Sequence, residues 1–320
     1  MTNLSEFTFL SSDGKTQLHG MLWEPEGVAV RAVLQICHGV AEHIARYDGF
    51  ARALNEQGIV VAGHDHLGHG KSLPEGGTPV YFGQGSTWNT VVDDIYILHQ
   101  RLKQRYPDVP LCIMGHSMGS FLTRTYLIRY PGTVKAAVIM GTGWQPQAAI
   151  TGGLALANAI AAVSGENATS ELVTELAFGS YNKLFAPNRT KVDWLSADES
   201  NVDDYIADPL CGADATVGLF RQMLHGIRFN QRQSHLRQMD REMPVLFVAG
   251  DKDPVGSCGK GVRQTYDAFR AAGMRDCTLK LYPGLRHEIL NEKAYTADIT
   301  KNIEAWLLSL SLIHISEPTR

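Results

Sequence analysis

Leu111-Cys112-Ile113-Met114-Gly115-His116-Ser117-Met118-Gly119-Ser120-Phe121-Leu122 is the stretch that decides the fold. Four apolar residues, Leu111 to Met114, predict a short buried strand, and the run from Ser120 to Leu127 predicts a helix. Between them lies G-x-S-x-G, a serine on a strand-to-helix turn, where a hydroxyl is lifted above a sheet and becomes a nucleophile. The requirement is steric. So sharp a turn leaves no space beside the serine for side chains, and Gly115 and Gly119 provide that space. The N–H of Met118 then faces the charge that develops on an attacked carbonyl oxygen. The pentapeptide alone is a weak pattern, so a base, an acid and a second oxyanion donor must follow at suitable places.

Outward from this turn, strands alternate with helices. Glu6 to Pro25 reads as two strands about the turn signal Ser11-Ser12-Asp13-Gly14. Ala32 to Cys37 is a buried strand. Tyr47 to Gln57 is a helix with Phe50, Ala53 and Leu54 on one face, stopped by Gly58. Ile59 to Ala62 is a strand, Thr87 to Arg105 an amphipathic helix carrying Val91, Val92, Ile95, Leu98 and Leu102, and Ala136 to Met140 another strand. Such alternation implies right-handed crossovers and a mostly parallel sheet with helices on both faces. The two opening strands, with no helix between them, imply an antiparallel edge. From Gly143 to Arg241 the strand rhythm stops. Ala148 to Val163 is small and apolar, and helical pieces follow near Leu172, Val217 and Met223. Strand signals resume at Met243 to Ala249, followed by a helix at Val262 to Ala272, a strand at Thr278 to Tyr282 and a last helix through Leu308. The expected organisation is an α/β core formed by residues 1–142 and 242–309, with a helical cap inserted at 143–241. The final stretch, 310–320, resembles the translation of a sequencing-library adapter, and it is expected to be non-native and not to continue the preceding helix.

A serine hydroxyl needs a base at neutral pH. His287, in Tyr282-Pro283-Gly284-Leu285-Arg286-His287-Glu288, follows the last predicted strand, where parallel sheets collect their active sites. Imidazole titrates at about pH 6.5, so it can take and return a proton. An acid must then orient it. Gly250-Asp251-Lys252-Asp253 offers two carboxylates. Asp253 is favoured, because the later position of a G-x-x-D turn sits over the strand ends, with Asp251 supporting the loop. Glu288 is set aside because sequence neighbours in a loop rarely meet as base and acid. The second oxyanion donor, beside the Met118 N–H, is assigned to the Val40 N–H in the loop His38-Gly39-Val40-Ala41-Glu42-His43.

With these residues assembled, the chain resembles the monoacylglycerol lipase and lysophospholipase branch of the α/β-hydrolases, grouped with the serine aminopeptidase-like hydrolases. His38 to His43 matches the branch's H-G-x-x-E-H. His64-Asp65-His66-Leu67-Gly68-His69-Gly70-Lys71-Ser72 matches H-D-x-x-G-H-G-x-S, and Gly115 to Gly119 matches its nucleophile turn. The resemblance runs from about residue 5 to 309 apart from the cap. It implies an α/β-hydrolase fold and hydrolysis of carboxylic esters, often of single-chain lipids, through an acyl-enzyme on Ser117 with His287 and Asp253. No cofactor is needed. His38, Gly39, Asp65 and His69, with Gly115 and Gly119, are expected to support the site. Read instead as metal ligands, the histidines lack H-E-x-x-H spacing, so no metal ion is expected.

Composition narrows the partners. A net charge of −4 without a basic block argues against nucleic acid. Five scattered cysteines without a C-x-x-C pair suit a reducing compartment. With no signal-peptide pattern and no apolar run of roughly 20 residues, a cytoplasmic protein is expected. Ala148 to Val163 is read as a wall of an acyl pocket or a surface for transient lipid contact, too short to span a bilayer. Two other functions stay open. An aminopeptidase or amidase would need a cap carboxylate for the substrate amine, with Glu166, Glu171, Glu175 and Asp204 as candidates. A non-enzymatic ligand receptor could use the same fold.

Overall fold

The computed structural model describes residues 1–313. Eight strands form one sheet: β1 (Thr2–Leu10), β2 (Gln17–Pro25), β3 (Ala32–Cys37), β4 (Ile59–His64), β5 (Leu111–His116), β6 (Ala137–Met140), β7 (Val245–Gly250) and β8 (Cys277–Tyr282). Their order is β1-β2-β4-β3-β5-β6-β7-β8. β2 pairs antiparallel with β1 and β4, and every pairing from β4 to β8 is parallel. The antiparallel edge and the mostly parallel sheet are those expected from the alternation.

The central strands β3 to β7 are buried along their whole length, which explains why they read as continuous apolar runs. Their two faces still separate with period two. Val33, Val60, Ile113, Ile139 and Phe247 point to one layer, packed with α2 (Trp88–Arg105), α3 (Met118–Arg129) and, after β7, the helix Lys260–Ala272. Leu34, Val61, Met114, Val138 and Val248 point to the other, packed with α1 (Asp48–Asn55) and the C-terminal helix Thr296–Ile313. α2 starts where it does because Thr87 and Thr90 satisfy each other's backbone N–H in a reciprocal cap.

Between β6 and β7 the chain supplies helices, chiefly α4 (Gln147–Ser164), α5 (Glu199–Ala207) and α6 (Val217–Asn230). The helices after β7 complete the series as α7 (Lys260–Ala272) and α8 (Thr296–Ile313). α4 buries Ile150, Leu154 and Ala157, and it approaches α6 so closely that a Cβ on Gly153 would lie 2.8 Å from Leu224 Cδ1. α4 has 18 residues, two more than the apolar run Ala148 to Val163, because the polar Gln147 and Ser164 extend it; by length and composition it is apolar enough to cross a membrane, with 17% of it buried. One expectation needs correction. α8 continues to Ile313, past the Leu310 boundary, because Leu310 still packs against the core. The rest of the suspected tail lies outside the described residues.

Candidate active site

Ser117 stands between β5 and α3 with φ 54° and ψ −121°, a left-handed conformation that L-residues rarely adopt. The flanking glycines are required by contact. A Cβ on Gly115 would lie 2.2 Å from Gly119 O, and one on Gly119 would lie 2.0 Å from Cys37 O. Ser117 is anchored by its N–H donating to Met140 O at 3.1 Å, across to β6. Met118 opens α3, so its N–H is among those a helix leaves without an internal partner.

The turn after β7 carries both aspartates, and they diverge. Asp253 Oδ1 accepts from His287 Nδ1 at 3.0 Å and from Val255 N–H at 2.9 Å. Asp251 Oδ1 accepts from Gly284 N–H at 2.8 Å and so fixes the turn that leads to His287. With Nδ1 donating to a fully buried carboxylate, the neutral ring of His287 keeps Nε2 as its acceptor. The ring is held between His116, with centres 4.7 Å apart, and Trp194 of the segment between β6 and β7, 5.1 Å away. Among the described residues His287 has no hydrogen bond to Ser117. Such contacts often tighten only when substrate is bound.

The loop after β3 lies against the serine, since a Cβ on Gly39 would come within 3.1 Å of Ser117 Cβ. Val40 is half-buried, and its N–H makes no hydrogen bond among the described residues. The expected supports surround it. His38 donates from Nδ1 to Gly39 O at 2.7 Å and accepts the His66 N–H on Nε2 at 2.9 Å, as a neutral ring. Asp65 accepts from the Ile44 and Lys71 N–H groups and from His19 Nδ1. Burial alone would raise its pKa, but these bonds, with the nearby His38, hold it down to about 2. His69 donates from Nδ1 to Leu67 O at 2.9 Å, bracing its own loop.

A charged cluster behind the serine turn was missed from sequence. Glu42 receives the Gly39 N–H, the Tyr47 hydroxyl at 3.0 Å, His116 Nδ1 at 3.2 Å and Arg46 Nη1 at 2.9 Å. Arg46 also forks onto Glu288 at 2.7 and 2.8 Å. Burial disfavours the Glu42 carboxylate, yet the His116 hydrogen bond and the Arg46 charge hold its pKa well below the usual range. His116 Nε2 faces the His287 carbonyl at 3.2 Å. Both partners of His116 are acceptors, so both contacts are satisfied together by an imidazolium. Burial lowers the His116 pKa, but Glu42, with Glu288, outweighs it and leaves the pKa raised. This ring therefore ties the Gly39 loop, the serine turn and the His287 loop to one another. The cluster lines a cavity of about 240 Å³ that also reaches Asn201 and Lys293. Glu42 had a signal in the H-G-x-x-E-H motif. Glu288, 242 residues from Arg46, had none.

Comparison with known proteins gives the family. Residues 28–294 match the family model described as "Serine aminopeptidase, S33". The chain belongs to this family of α/β-hydrolases. Within it, the chain falls in the monoacylglycerol lipase branch. It is 31% identical to a monoacylglycerol lipase of Mycolicibacterium smegmatis, over 95% of this chain and 97% of that one. It is 28% identical to a monoglyceride lipase of Homo sapiens, over 93% and 88%. Among solved structures, a thermostable carboxyl esterase from Bacillus coagulans in complex with glycerol superposes with a TM-score of 0.90 at 26% identity, covering 97% of this chain and 100% of that one. A structure described as "Lipase (Open form)" gives 0.85 at 27%, covering 97% and 99%. The protein is thus an α/β-hydrolase of the lipase and esterase type.

Proposed function

We propose that the protein is a serine esterase that cleaves carboxylic esters of single-chain lipids, monoacylglycerols or lysophospholipids, through an acyl-enzyme. The observation that carries this is the junction of three loops at one end of the sheet, with Ser117 on a left-handed turn, His287 oriented by Asp253 and the Gly39 backbone against the serine. Ser117 Oγ attacks the ester carbonyl as His287 Nε2 takes its proton. The two N–H groups receive the oxyanion, each worth roughly 2.7–4 kcal/mol of barrier by analogy with other such donors. His287 then protonates the departing alcohol. Water, deprotonated by the same ring, releases the fatty acid and restores the serine.

The preference for lipid esters draws on the names of the relatives and on α4, whose exposed apolar face could meet a lipid surface. An amidase reading needs a free carboxylate for the substrate amine. Glu166 is paired with Arg221 and Glu175 with Lys183, which removes two of the four candidates. Asp204 lies beside the polar cavity, 3.9 Å from Lys293, and Glu171 is exposed.

A series of p-nitrophenyl esters and monoacylglycerols of increasing chain length tests the proposal, alongside dipeptide amides. Ser117→Ala should lower turnover by roughly 10⁴-fold or more and abolish labelling by a fluorophosphonate. Turnover like the wild type in that variant, or amide turnover exceeding ester turnover, would overturn it.

A further inference from the structure

His43, Asp208 and Cys211 come together from two separate stretches of the chain. His43 ends the loop that carries Val40, and Asp208 and Cys211 lie in the segment after α5. An imidazole nitrogen, a carboxylate oxygen and the thiol sulfur lie within 4.8 Å of one another. His43 Nε2 already donates to Asp208 Oδ2 at 2.9 Å. The two backbones are fixed to each other, because Ala41 O accepts both the Gly212 N–H and the Tyr205 hydroxyl at 3.0 Å.

We propose that this trio is a binding site for a divalent transition cation of the Zn²⁺ class, with its fourth position open to water. The donor set is the argument. Imidazole, thiolate and one carboxylate suit a borderline cation and fit Mg²⁺ or Ca²⁺ poorly, since those prefer oxygen throughout. Metal–donor bonds of about 2.0–2.3 Å place tetrahedral donors roughly 3.3–3.8 Å apart, so the His43–Asp208 pair opens by about 0.4 Å from its 2.9 Å hydrogen bond and the sulfur, now within 4.8 Å, closes by about 1 Å. The Asp208 side chain is 30% exposed and gives the cation a way in. Arg46 lies close to Cys211, but Glu42 and Glu288 take up its charge. Binding exchanges the His43–Asp208 hydrogen bond for two metal bonds: the ring changes tautomer, its proton passing from Nε2 to Nδ1 through solvent so that a neutral imidazole coordinates by Nε2, and the thiol proton is released to solvent as Sγ coordinates. An occupied site staples the segment after α5 to the loop that presents Val40. Any effect of the cation on turnover rests on the esterase proposal; binding itself does not.

Chelator-treated protein titrated with Co²⁺ should take up one equivalent and develop the near-ultraviolet thiolate-to-cobalt absorption, which Zn²⁺ then displaces. Cys211→Ser should abolish that absorption, and Cys258→Ser, at an exposed thiol, should leave it intact. Asp208→Asn should weaken Zn²⁺ binding in calorimetry by roughly 10-fold or more, and it carries the test if circular dichroism finds Cys211→Ser unfolded. Absorption that survives in folded Cys211→Ser, Zn²⁺ affinity unchanged in Asp208→Asn, or no uptake by the wild type would overturn the proposal.

Discussion

Asp251 and Asp253 stand two residues apart and hold different loops. Asp253→Asn should lower kcat on a p-nitrophenyl ester by about 10⁴-fold, because the amide favours the wrong tautomer of His287. Asp251→Asn, which keeps an oxygen for the Gly284 N–H, should cost less than about tenfold, and the ratio of the two kcat values is the check. Gly119→Ala drives a methyl group into the Cys37 carbonyl and should destabilise the fold by about 1–3 kcal/mol in urea unfolding. The placement of Ser117 on its strained turn and the contact of His287 with Asp253 rather than Asp251 were legible, because each residue follows a strand. The Glu42–Arg46–Glu288–His116 cluster was not. A buried charge announces itself through its partner, and the pairings of Arg46 and His116 with the Glu288 loop span most of the chain.

At the scale of elements, the loop after β4 is packed with neutral histidines. Burial pulls the pKa of His64 down to about 3 and that of His69 to about 4, and lowers those of His38 and His66 as well. Unfolding exposes each ring to its ordinary value of about 6.5. Between those limits the unfolded chain binds more protons, so stability falls as pH drops from about 6.5 towards 4. His116 acts in the opposite sense. Its raised pKa contributes stability that is present below about 6.5 and lost as pH rises through the folded value. Thermal midpoints should therefore peak near neutrality and fall on the acid side more gently in His64→Leu than in the wild type. A flat profile from pH 7 to 4.5 would contradict this. The strands and long helices were legible to within a few residues, because apolar periodicity and caps such as Thr87 are local. The ends of α4 and α8 were not: Gln147 and Ser164 are exposed polar residues outside the apolar run of α4, and α8 runs on past residue 309 where Leu310 packs against the core.

At the scale of the molecule, the sheet was the legible part and the helical segment between β6 and β7 the illegible one. Trp194 could not be placed against His287 from sequence, since nothing local to residues 188–194 fixes which way that segment folds back. The exposed face of α4 gives the last prediction. Ala159→Glu with Val163→Glu should reduce co-flotation with phospholipid vesicles several-fold while leaving hydrolysis of a short soluble ester unchanged. The position of the segment between β6 and β7 has a wider consequence. It leaves from the C-terminal end of β6 and returns at the N-terminal end of β7, and the two strands are parallel, with Ala137 opposite Val245 and Met140 opposite Val248. Its two ends are therefore separated by the length of the strands, at least about 10 Å. The segment is itself the crossover between parallel neighbours. A replacement can vary freely above the strand ends, but it must keep a return stretch such as α6, whose Asn230 accepts from Thr125 of α3, to bring the chain back to the start of β7.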